Sequence, residues 1–206
     1  MAVKKKAAKT PTKPTKTAKA AKGGVRGRCV ALLRGINLAA HKRMAMKDLV
    51  AVFEKCGCTD IATYIQSGNV VFRTEAKDLA RLQKRIEDAI EKSCGFRTGV
   101  VLRSSAELKD IIRRNPFAKR SGIEPNRLVV SFLTGAPAPE SKQRIAQIKV
   151  GPEELVLDGR ELYIYYGGGI GSSKLTPAVI ERALKVSGTA RNWNTITKLL
   201  EMAENL

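Results

Sequence analysis

Two sets of short motifs in the 206-residue chain gather side chains that recognise anions. The first set is "LLRGIN", with Arg34 and Asn37, and "TYIQSGNVVF", with Gln66, Ser67 and Asn69. The second is "GGGIGSSK", with Ser172, Ser173 and Lys174, and "TARNWN", with Arg191, Asn192 and Asn194. None of these stretches contains Asp, Glu, His or Cys. Acid–base catalysis near neutral pH draws on His or a tuned carboxylate, and metal catalysis draws on ligands. What these residues supply is donors: forked guanidinium groups, an ammonium, and the N–H groups of glycine-rich backbone. That chemistry suits phosphate or carboxylate recognition. A serine activated by Lys174 is a weaker alternative.

Familiar nucleotide motifs do not fit. In "GGGIGSSK" the lysine follows the serines, which departs from a phosphate-binding P-loop. It also departs from the dinucleotide fingerprint, because the preceding unit reads as a hairpin and position 172 is Ser. The strands "CVALLR" and "NVVFRT" lack the aromatic pattern of an RNA-recognition platform. Tyr163 and Tyr165 share one strand face and Tyr166 takes the other, an arrangement for covering a sheet or, less readily, for stacking on bases. The cysteines are Cys29, Cys56, Cys58 and Cys94, and His41 is the single histidine. Cys56-Gly57-Cys58 is too tightly spaced for a zinc knuckle and has no second pair, so no metal or other cofactor is expected.

The elements that must position these residues follow from periodicity. "RCVALLRGI" is a buried strand, and Met46, Leu49, Val50 and Phe53 mark a helix ended by Gly57. "IATYIQ" and "NVVFRT" are strands around Ser67-Gly68. Leu79, Leu82, Ile86 and Ile90 form a helix to about Gly95, and "RTGVVLR" is a strand. Ser104 with Glu107 signals a capping box, and Asn115-Pro116 stops the helix it opens. The order then recurs: "RLVVSFLTG", the helix "PESKQRIAQIK", a hairpin across Asp158-Gly159, a helix opened by Thr176-Pro177, the strand "GTARNW", and a closing helix from Asn194. Trp193 is expected in the core or the interface between halves, and Asn192 or Asn194 as the cap of the last helix.

This reads as an α+β chain of two ferredoxin-like (split βαβ) subdomains in tandem, residues 27–120 and 121–206, each followed by an extra helix. In such a unit the first two strands are parallel, with the third running back between them. The end of the first strand therefore reaches the hairpin joining strands two and three, which puts Arg34-Gly35-Ile36-Asn37 beside Gln66-Ser67-Gly68-Asn69. By the same logic "GGGIGSSK" comes near Arg191-Asn192-Trp193-Asn194.

Charge adds a second line of argument. The formal net charge is +19; residues 1–24 carry eight lysines and no acid, and the remaining 182 residues keep a surplus of eleven positive charges. A Lys-, Ala-, Thr- and Pro-rich segment cannot bury enough apolar surface to offset the entropy of ordering, so residues 1–26 are expected to be disordered. A surplus this large favours nucleic acid, acidic membrane surface or phosphorylated small molecules as partners. No apolar run is long enough to span a membrane and no secretory signal opens the chain, which with isolated thiols predicts a cytoplasmic protein.

"LLRGIN", "TYIQSGNVVF", "NPF" at 115–117, "SSKL" at 172–175 and "TARNWNTITKLL" at 189–200 occur in that order. Together they resemble the domain of unknown function 1697 family over about residues 28–204. The resemblance implies two ferredoxin-like halves and implies no activity or catalytic residue. The family commonly has paired glycines after "RGIN", where this chain has Ala39-Ala40. The favoured expectation is a binding module for a phosphate-bearing or nucleic-acid ligand, with Arg34, Asn37, Gln66, Ser67, Asn69, Ser173, Lys174, Arg191, Asn192 and Asn194 as candidate contacts. Two alternatives stay open: an enzyme acting on a small anionic substrate at the cleft between subdomains, and a structural homodimer without ligand.

Overall fold

The computed structural model describes residues 27–37, 43–148 and 151–206. The expected disorder of residues 1–26 and the expectation at Ala39-Ala40 lie outside the described residues. Among these, the first half is β1 (Gly27–Leu33), α1 (Met46–Lys55), β2 (Thr59–Tyr64), β3 (Asn69–Thr74), α2 (Leu79–Cys94), β4 (Val100–Ser104) and α3 (Ser105–Arg113). The second is β5 (Leu128–Leu133), α4 (Ser141–Ala146), β6 (Glu153–Asp158), β7 (Glu161–Tyr166), α5 (Pro177–Leu184), β8 (Gly188–Asn192) and α6 (Trp193–Glu204), with a 3-10 turn at Ile170–Ser172 before α5.

Each half forms a four-stranded antiparallel sheet, ordered β2-β3-β1-β4 and β6-β7-β5-β8. This is the ferredoxin-like arrangement, twice. The central strands β1 and β5 are apolar along almost their whole length because both of their faces are covered.

Strand alternation sorts those faces. Cys29, Ala31 and Leu33 turn towards α1 and α2, while Val30 and Leu32 turn the other way. In the second sheet Val129 and Leu133 face α4 and α5, whereas Leu128, Val130 and Phe132 face the first half. Between the two inner faces lie α3 and α6, the extra helices, which bury Leu108, Ile111, Ile196, Leu199 and Ala203 in one core shared by both halves. The helices read from sequence as trailing appendages are therefore the central layer. Trp193 packs against that shared core.

The predicted helix starts hold. Ser104 and Glu107 form both bonds of a capping box at α3, Thr176 caps α5 ahead of Pro177, and Asn192 caps α6 by accepting from the Thr195 N–H. Several boundaries differ from expectation. Trp193 begins α6 instead of ending a strand, because the cap sits one residue earlier, at Asn192. Of the helix expected over 139–149, the described residues are helical over Ser141–Ala146, and residue 149 lies outside them. Ile65 and Gln66, expected to extend β2, lie in a four-residue turn, since Tyr64 is already paired with Asn69.

Candidate functional site

The end of β1 meets the β2–β3 turn, as topology requires. The Leu33 N–H donates to the Gly68 carbonyl at 2.8 Å. Gly68 has φ +75, and a Cβ there would lie 2.7 Å from the Leu33 Cβ, so glycine is what lets the turn close this tightly. Asn37 clips the next loop in place: its Nδ2 donates to the Met44 and Gln66 carbonyls, and its Oδ1 accepts from the Met44 N–H. Asn69, fully buried, donates through Nδ2 to the Tyr64 carbonyl and to the Ser67 Oγ. The amide and hydroxyl groups of Asn37, Ser67 and Asn69 thus spend hydrogen bonds on their own loops. These bonds hold Ile65 at φ +48, a strained backbone for a β-branched residue, with the side chain exposed. Gln66 is exposed beside it.

Arg191 of the second half joins this first cluster. Its Nε donates to the Asn69 Oδ1 at 2.5 Å, one terminal nitrogen to the Leu33 and Ser67 carbonyls, and the other to the Thr189 Oγ1 and the Ala190 carbonyl. All five guanidinium N–H groups are engaged, each by a neutral acceptor. Burial pulls its pKa down to about 10, so it stays charged at neutral pH.

The first half mirrors this with Arg103. Each arginine precedes the N-cap of an inner helix, and each lies opposite the equivalent valine, Val30 or Val130. Arg103 crosses to the Leu133 carbonyl as Arg191 crosses to that of Leu33. Where Arg191 finds Asn69, Arg103 finds Glu161, at 2.9 and 3.0 Å from one carboxylate oxygen. Both members of that pair are buried, at 2% and 5% exposure. Burial lowers the Arg103 pKa and the Glu161 carboxylate opposes the shift.

A cleft of about 330 Å³ opens between the Arg34 loop, the edge strand β8 and α5. Three charged residues line it: Arg34, Arg191 and Glu181. The Arg34 Nη2 lies 2.7 and 2.9 Å from the two Glu181 oxygens, and the Gly188 N–H donates to the same carboxylate at 3.3 Å. Apolar surface from Leu133, Ile164, Tyr166 and Ile180 forms much of the rest. Thr189 also lines the cleft, and its hydroxyl donates to the Leu33 carbonyl. On the other side of Arg34 a more open hollow is bounded by Glu87, Arg97 and Thr98.

Within the second predicted cluster the hydrogen bonds of the Ser172, Ser173 and Asn192 side chains stay inside their own stretches. Ser172 donates to the Gly168 and Gly169 carbonyls, and Ser173 accepts from the Leu175 N–H. Lys174 is exposed with no acid partner among the described residues, and Asn194 is exposed on the first turn of α6. Asn192 is occupied as a cap. Tyr163 and Tyr165 are buried, with their hydroxyls donating to the Ile111 and Gly122 carbonyls, so their strand offers no open stacking face. The four cysteines are free; burial raises Cys29 to about 11 and Cys58 to about 12, the opposite of an activated thiol. No group of three or more His, Cys, Asp or Glu placed to hold a metal occurs among the described residues.

Sequence reasoning missed Glu181, Gly188 and Thr189. Glu181 sits 147 positions from Arg34, and no local spacing links them. The internal repeat offered the one signal: Glu87 of α2 accepts from the first N–H of β4, at Val100, as Glu181 of α5 accepts from the first of β8, at Gly188.

The chain belongs to the family described as "Protein of unknown function (DUF1697)", which matches residues 27–163. Among solved structures it is similar to a conserved bacterial protein from Streptococcus pneumoniae, with 20% identity and a TM-score of 0.66. That match covers 87% of this chain and 99% of the other, and it bears on the fold. A search of curated proteins finds no match. No helix among the described residues is long and apolar enough to cross a membrane.

Proposed function

We propose that the protein is a cytoplasmic binding module for a phosphate-bearing ligand, seated in the cleft between the Arg34 loop and α5. The observation that carries this reading is Arg191: a cation at the cleft wall whose partner position holds Asn69, where the repeated arginine has Glu161. With its N–H groups engaged, Arg191 contributes its field, not direct hydrogen bonds. Arg34 contributes the hydrogen bonds. Its only acid partner among the described residues is Glu181, in a pair whose side chains are 44% and 27% exposed. Exposed pairs of this kind are held by at most about 1 kcal/mol and are readily exchanged. Buried free thiols suit a reducing compartment.

Titration of the full chain with inorganic phosphate tests this. Binding should weaken as salt rises, and Arg34→Ala should lower affinity about tenfold or more, since a hydrogen bond to a charged group contributes roughly 1.5–3 kcal/mol. Binding that ignores Arg34→Ala would place the site elsewhere.

The charge surplus of the whole chain supports a second reading, in which the phosphate belongs to nucleic acid. Short RNA and DNA strands should then compete with inorganic phosphate and show a steep fall of log affinity with log salt. A flat salt response would leave only the small ligand.

A further inference from the structure

We propose that the ligand of this cleft is a phosphate monoester joined to an apolar or aromatic body, and that its phosphate replaces the Glu181 carboxylate on Arg34 and the Gly188 N–H. The inference rests on the anion-binding reading above and deepens it.

Glu181 already sits as an anion would, with both oxygens on the Arg34 Nη2 and one also accepting from Gly188. The equivalent acid, Glu87, shows what a purely structural role looks like. It holds the first N–H of its strand at 2.8 Å, against 3.3 Å for Glu181, which is drawn towards Arg34. Charge then selects the ligand. With Glu181 in place the cleft walls carry two positive charges and one negative; with it withdrawn they carry two positive charges. A carboxylate ligand balances one of them, whereas a phosphate monoester near neutral pH carries between one and a half and two negative charges. A guanidinium also matches phosphate oxygens in a forked geometry. The remaining wall, from Leu133, Ile164, Tyr166 and Ile180, suits an apolar body, and a volume of about 330 Å³ limits it to a small one.

Calorimetric titration of the full chain with phenyl phosphate, inorganic phosphate and benzoate provides the test. Phenyl phosphate should bind tightest, ahead of inorganic phosphate because of its ring and ahead of benzoate because of its charge. Glu181→Gln should tighten phenyl phosphate about threefold by removing the competing carboxylate from an exposed pair. Glu181→Asp, which keeps the charge but draws it back from Arg34, should tighten it less and guards against a folding defect in the first variant. Benzoate binding as well as phenyl phosphate, or unchanged affinity in both Glu181 variants, would overturn the proposal while leaving an Arg34 anion site standing. Absence of binding by all three anions, in every form, would remove the anion-binding reading itself.

Discussion

Arg103 and Arg191 occupy the same place in the two repeats and meet different company. Around Arg103 the acids accumulate. Glu161 lies against it, Glu107 and Asp110 follow four and seven residues later on α3, and Asp158 precedes Glu161 by three. Arg114 and Arg160 complete the network, with Arg114 paired to Asp110, Asp158 and Glu161, and Arg160 to Glu107. At the corresponding places around Arg191 stand Asn69, Thr195, Lys198 and, paired with Asn69 as Asp158 is with Glu161, Tyr64. All four carboxylates are absent from the second junction. The backbone geometry is kept, including the crossing to the last carbonyl of the other half's first strand. The repeated staple is surrounded by carboxylates at one junction and has none beside its guanidinium at the other. The lesson is that docking the two halves requires the arginine's hydrogen bonds but not a carboxylate beside it. The end without a carboxylate on its arginine is the one we propose as the ligand site.

Three substitutions probe that contrast. Glu161→Ala should have the largest effect, because it strands a buried guanidinium; a loss of about 3–5 kcal/mol is expected in urea unfolding. Asn69→Ala removes one hydrogen bond to a charged group and two neutral ones, for a loss of about 2.5 kcal/mol on the same assay, the low end of their sum because the half-buried Ser67 and Arg191 can turn to water. Equal losses at the two sites would dissolve the distinction between a junction with a carboxylate on its arginine and one without. Asn69→Asp restores a carboxylate beside Arg191, at the expense of the donors to Tyr64 and Ser67. It should lower phosphate affinity about tenfold, the scale of one added negative charge several ångströms from the ligand at an effective dielectric near 20. Undiminished affinity would show that the Arg191 field does not reach the cleft.

Much of the scaffold is legible in the sequence. Alternating and helical periodicities mark the strands and helices, Ser104 and Thr176 announce their helices, the last cap is narrowed to Asn192 or Asn194, and parallel-strand logic brings Gly35 and Ile36 towards Gly68. Those inferences depend on contacts within one repeat, where the connection is short and the handedness is constrained. The site was less legible. Arg191 was singled out as a donor to a ligand, yet its five N–H groups close on partners up to 158 positions away. Ser173 and Lys174 looked like one site with it, and the loop that carries them folds its hydroxyls back on itself. Motif richness in Asn, Ser and Gly marks tight turns as readily as ligand contacts, because the same groups satisfy both.

The sequence by itself determined the repeat, the element order, the helix caps and the excess of positive charge, since each follows from side-chain periodicity, local hydrogen bonding or simple counting. Only the tertiary structure decided that the extra helices become the central layer, that each half's arginine staples the other, and that Glu181 reaches Arg34. These depend on which apolar faces bury against each other when the halves dock, and burial between distant segments leaves no fixed spacing in the chain.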